Sequence, residues 1–156
     1  MKKTHILGAS AASAALALGI LAAPPASAAA HQGGLHFGAL QFDGPGADRP
    51  QTNAKLNAEY VDIHNNTRSA MQLKGYTVRT DSGFKATFSG SFVLGAGKTV
   101  RVRNGQGTNT ASTVYRKANN FWFNNSKGGV TLYAANGAKK DSCSWKANGR
   151  GYTTCH

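Results

Sequence analysis

Acidic side chains are scarce in this chain: six Asp and Glu stand against 18 Lys and Arg, for a formal charge of +12. The surplus of positive charge favours polyanionic partners. Cysteine is scarcer still, with two residues. No Cys precedes Cys143, so an N-terminal lipid attachment point is lacking. Cys143, Cys155 and His156 also fall short of the four-ligand spacing of a structural zinc site. Tracts of five or more consecutive Lys or Arg are missing, so the charge is dispersed and suits plain solubility as well as binding.

Only one long apolar run occurs, Ile6 to Ala23. It follows Lys2 and Lys3 and ends in Pro24, Pro25 and then Ala26-Ser27-Ala28. A positive start, an apolar middle and a small-x-small end are the order of an export signal. Cleavage is expected after Ala28, with Ala30 the neighbouring option. Residues 1–28 are then a signal peptide, 29–34 a flexible mature N-terminus and 35–156 one domain, secreted to the extracellular side with no membrane span in the mature form. In an exported chain the two cysteines are expected to form a disulfide, Cys143–Cys155. Closing so short a loop stabilises by about 3 kcal/mol, chiefly by holding down a tail rich in Gly and Thr.

Beyond the signal there is no helical periodicity of useful length. Apolar residues recur at intervals of two in short bursts separated by Gly, Asn, Asp and Ser, which is the pattern of strands. Candidate strands are Leu35–Phe42, with a parity shift between Ala39 and Leu40 that suggests a bulge or a buried edge, then Glu59–His64, Tyr76–Arg79, Lys85–Phe88, Ser91–Leu94, Thr99–Arg103, a run around Val130 and Leu132, and Lys140–Trp145. Asn136-Gly137 suits a hairpin turn. Seven or eight strands at this spacing predict an all-β, immunoglobulin-like β-sandwich, with a barrel of the same strand count as the alternative. The expected interior is Val61, Ile63, Leu73, Tyr76, Val78, Phe88, Leu94, Val100, Val102, Val130 and Leu132.

Several segments together resemble one family. They are Leu56-Asn57-Ala58-Glu59-Tyr60-Val61-Asp62-Ile63-His64-Asn65, Leu73-Lys74-Gly75-Tyr76-Thr77-Val78-Arg79 and Leu94-Gly95-Ala96-Gly97-Lys98-Thr99-Val100-Arg101-Val102. Gly105–Thr110, Trp122-Phe123-Asn124-Asn125 and Asp141–Trp145 before Cys155 add to them. The chain resembles the lamin tail domain, in the form found in secreted actinobacterial proteins, over Leu35 to Cys155. Departures are Ala96 for a turn proline, Tyr76 for a commoner Trp, and Ser89 in a Phe-Pro corner. The resemblance implies an immunoglobulin-like sandwich and an association role. In nuclear lamins the domain docks proteins and DNA; in bacteria it accompanies exported enzymes or stands alone.

Residues that could carry chemistry are few. Glu59 shares strand parity with Val61 and Ile63, points inward and must find donors. With Asp43 and Asp48 it could bind a structural calcium; the competing expectation is a loop in which these carboxylates accept backbone N–H groups. Asp62 and His64 share an outward face, yet no His-x-His or His-x-Glu-x-x-His arrangement supports a metal-dependent hydrolase or nuclease accessory. Gly105-Gln106-Gly107 opens no helix and is a turn, not a phosphate cradle. Arg101, Arg103, Arg116 and Lys117, interleaved with aromatics, are the candidate polyanion contacts. The reading is therefore a non-enzymatic secreted binding or structural module, without cofactor, for a protein or an anionic partner: nucleic acid, wall polymer or acidic membrane surface. Self-assembly through strand edges is a further alternative.

Overall fold

Val61 and Ile63 on one strand sit opposite Val102 and Val100 on the next, and all four are buried. Alternation of this kind puts every second side chain on one face, so one ladder of β-branched residues creates a surface that needs a second sheet to cover it. The computed structural model describes residues 32–147 and 149–156. The expected signal peptide, residues 1–28, lies outside them. The described elements, in chain order, are β1 (Gly34–Gln41), α1 (Asn53–Ala58), β2 (Tyr60–Asn66), β3 (Met71–Gln72), β4 (Thr77–Thr80), β5 (Lys85–Thr87), β6 (Val93–Leu94), β7 (Thr99–Arg103), β8 (Thr113–Tyr115), β9 (Lys127–Tyr133), β10 (Lys139–Lys146) and β11 (Tyr152–Thr154).

One sheet has the order β11-β1-β2-β7-β8, the other β10-β9-β4-β5, and β3 and β6 form a small ribbon. Among the described strands, only β7 and β8 run parallel; the remaining pairs are antiparallel. The core contains the expected interior, with Tyr76 only half-buried against it, and adds Leu35, Phe37, Leu40, Phe42, Trp122, Phe123 and Trp145. Each fully buried aliphatic side chain contributes about 1.5–3 kcal/mol, so the two inner faces hold the sandwich together.

The expected irregularity in the first strand is a register shift between Phe37 and Leu40. Three further features depart from the sequence reading. A short helix, α1, precedes β2: Thr52 caps it, its hydroxyl accepting the Lys55 N–H at 3.3 Å, and Leu56 is its single buried residue. Six residues are too few to show a period, so the cap was the only signal. Strand β8, whose three residues are all half-buried, has no alternation to betray it. And β10 does not close the fold, because β11 returns to pair with β1.

The disulfide explains that return. Cys143 lies in β10 and Cys155 directly follows β11, and the two are bonded. The bridge therefore joins one sheet to the other, where the sequence suggested only a tethered tail. Asp141 reinforces the seam from β10, its carboxylate accepting the N–H of Phe37 at 2.6 Å and of Ser142 at 2.7 Å.

Candidate functional site

Glu59 caps α1 at the entrance to β2 and is almost wholly buried. Its carboxylate accepts the Trp122 N–H at 2.5 Å, the Phe123 N–H at 3.1 Å and the Asn104 side-chain amide at 2.8 Å. Desolvation pushes its pKa up to about 7, opposed by these three donors and assisted by the nearby Asp48. Asn104, also buried, extends the network by accepting Arg116 Nη1 at 2.8 Å. The inward carboxylate thus serves as an acceptor that orders the 119–123 segment, and it places Trp122 over Phe123, their rings stacked at 4.7 Å.

Asp43 and Asp48 share a different donor. Both accept from the Asn125 amide, at 3.0 and 3.1 Å. The three residues weighed as a calcium set thus use different donors, and among the described residues no three His, Cys, Asp or Glu side chains come together to hold a metal ion.

The four cations singled out in the sequence separate into two groups. Arg101 and Arg103 emerge on the outer face of β7, as the alternation required. Arg101 grips Asp62 through two hydrogen bonds of 2.7 and 2.8 Å and lies 3.6 Å from the centre of the Tyr60 ring. The Asp62 contact raises its pKa. Arg103 donates to Asn57 O at 2.5 Å. Arg116 ties the two sheets, donating from Nε to Lys85 O at 3.1 Å and from Nη1 to Asn104 and packing 5.0 Å from the Phe84 ring; burial lowers its pKa. Lys117 is exposed and has a φ of 60°, a left-handed backbone uncommon for a non-glycine residue.

Asp62 and His64 share their expected face; Asp62 is held by Arg101, and His64 Nδ1 lies 2.8 Å from Thr99 Oγ1. The disulfide instead draws His156 to Asp141, at 3.2 Å, and to within 6.0 Å of the His36 ring, which is 5.3 Å from that of His64. This grouping is invisible in the sequence because His156 is far along the chain from His36 and His64. Asn65 is fully buried: it donates to Ser69 O, Leu94 O and Gly95 O and accepts from Thr67. It is a structural corner.

A family model, described as Lamin Tail Domain, matches residues 29–147. The chain belongs to the lamin tail domain family. The family is one of immunoglobulin-like domains that are typically non-catalytic. The match stops at residue 147, so β11 and Cys155, which lie within the resemblance over Leu35 to Cys155, fall beyond the matched segment. A search of the curated proteins finds no match.

A cationic surface of this lamin tail domain lies on the outer face of the four-stranded sheet, which sequence reasoning missed. Ladder partners share a face, so Val78, Leu132 and Val130 facing inward send their neighbours outward. Thr77 and Arg79 of β4, Lys85 and Thr87 of β5, Lys127, Thr131 and Tyr133 of β9, and Lys139, Ser142, Ser144 and Lys146 of β10 therefore share one surface. Arg79, Lys85, Lys127, Lys139 and Lys146 are all exposed, and among the described residues none has an ion-pair partner. The signal in the sequence was the Lys/Arg parity opposite Val78 and Cys143, spread over four strands that only the topology brings together.

Proposed function

We propose that this protein is a secreted, stand-alone lamin tail domain of the actinobacterial type, which associates with anionic partners outside the cell through electrostatic attraction. The observation that carries this reading is the five-cation face, whose strands contribute no outward acid of their own. Thr and Ser hydroxyls and the Asp81 carboxylate lie between the charges, and Thr77 and Thr87 are paired at 3.0 Å. Such a surface offers charge and hydrogen bonds without base-shaped pockets, which suits backbone recognition.

Arg101, Arg103, Arg116 and Lys117 are secondary contacts in this reading. Three of them have structural duties that limit their reach, and Lys117 is the most available. Edge-to-edge assembly has less support: the edge strands β5, β8 and β11 are three residues each, Arg116 occupies the Lys85 carbonyl, and the long edge β10 carries exposed Lys139, Lys140 and Lys146.

Titration with duplex DNA and with a phosphodiester wall polymer at two salt concentrations tests the proposal. Affinity for at least one should fall steeply with salt. Binding that ignores salt would refute it.

A further inference from the structure

The outer face of β10-β9-β4-β5 combines long cationic side chains with a low floor of Thr and Ser. Arg79 and Lys85 are direct cross-strand neighbours in one row. Lys127 and Lys146 are neighbours two rows away, and Lys139 stands one row beyond the first pair on the opposite side. With strands about 4.8 Å apart and alternate residues about 7 Å apart, the five charges cover roughly 14 by 20 Å. They extend in both directions, not along a line.

Asp81 lies between the two pairs. Its N–H donates to Gly129 O at 3.0 Å, and its carboxylate occupies the place a side chain at Gly129 would take. A thin polyphosphate strand running from one pair of cations to the other would pass over this carboxylate. A flat array of phosphates meets the tips of the Lys and Arg side chains and stands clear of the floor where Asp81 rests. Tyr133, half-buried in the row of Lys139, adds an amphipathic ring of the type that sits at headgroup depth.

Resting on the polyanion reading above, we infer that this face docks flat on an anionic lipid surface, with phosphodiester headgroups taken up among Arg79, Lys85, Lys127, Lys139 and Lys146. The contact is peripheral and depends on charge, with each cation contributing about fivefold to partition.

The test uses the whole chain as recovered from its producing cells, with its N-terminus read by mass spectrometry so that every variant carries the same terminal segment. Co-sedimentation is measured with phosphatidylcholine vesicles with and without phosphatidylglycerol, and in parallel with duplex DNA and a linear polyphosphate. Binding should require phosphatidylglycerol. Arg79→Gln with Lys85→Gln, or Lys127→Gln with Lys146→Gln, should each weaken it about 25-fold. Lys74→Gln with Lys98→Gln, which removes the same charge from exposed loops, should weaken it less than fivefold. Circular dichroism confirms that all variants fold. Equal losses for the face and loop variants would overturn the inference. Binding to DNA or polyphosphate without binding to vesicles would overturn the lipid assignment and leave the polyanion reading standing. Binding to none of the probes would remove both.

Discussion

Asp141 on β10 accepts the backbone N–H of Phe37 on β1 at 2.6 Å, across the seam between the two sheets. The contact falls where β1 slips its register against β2, between Phe37 and Leu40. Both partners are buried, so removing the carboxylate leaves a donor with no water to replace it. Asp141→Ala should lower the free energy of unfolding by about 2–3 kcal/mol, read as a lower urea midpoint. A midpoint equal to the parent's would mean that the seam closes without this bond.

Opening the Cys143–Cys155 bridge should cost about 3 kcal/mol, because the loop it closes spans 12 residues. Since β11 joins the five-stranded sheet by its pairing with β1 alone, amides of Tyr152–Thr154 should exchange fastest after reduction. Hydrogen exchange on the Cys143→Ser, Cys155→Ser variant checks this. Unchanged protection of β11 would show that the ladder suffices without the bridge.

Glu59 makes stability depend on pH. Its folded pKa of about 7 lies above the ordinary value of 4.5, so between these the folded state holds more protons than the unfolded one. Stability from this group is therefore full below about pH 4.5 and declines as pH rises to about 7. The decline amounts to roughly 3 kcal/mol and is flat beyond. Glu59→Gln should abolish it: the difference in urea midpoint between parent and variant should change across pH 4.5–7. A constant difference would show a carboxylate ionised throughout, held by the Trp122, Phe123 and Asn104 donors.

Arg116 and Arg101 should differ in their importance to folding. Arg101 and Asp62 form a partly exposed pair, of a kind that contributes at most about 1 kcal/mol. Arg116 satisfies Asn104 inside the Glu59 network and Lys85 O on the opposite sheet. Arg116→Ala should cost about 2 kcal/mol and Arg101→Ala less than half of that, as thermal midpoints will show. The reverse order would place the stabilising role with the Tyr60 face.

The fold was legible in the residues that repeat with a clear period. Val100 and Val102 against Arg101 and Arg103 give β7 its bounds, Val61 and Ile63 give β2, and Asn136-Gly137 marks the turn before β10, where Gly137 has a positive φ. The core followed, since inward parity on successive strands leaves few other arrangements. Segments too short for a period were not legible: α1 has six residues and β8 three.

The site was less legible, for a different physical reason. Parity assigns each side chain to a face of its own strand, so Arg101 and Arg103 could be placed outward from sequence. It does not say which strands become neighbours, and hence could not place Arg79 beside Lys85, Lys127 beside Lys146, or Asp62 under Arg101. By itself the sequence determined a basic, β-rich chain with an export-like start, two sheets' worth of alternating apolar residues and a pair of cysteines. Tertiary structure alone decided which charges are neutralised and which stand together, because electrostatic pairing depends on separations of a few ångströms, and sheet order sets these between residues far apart in the chain.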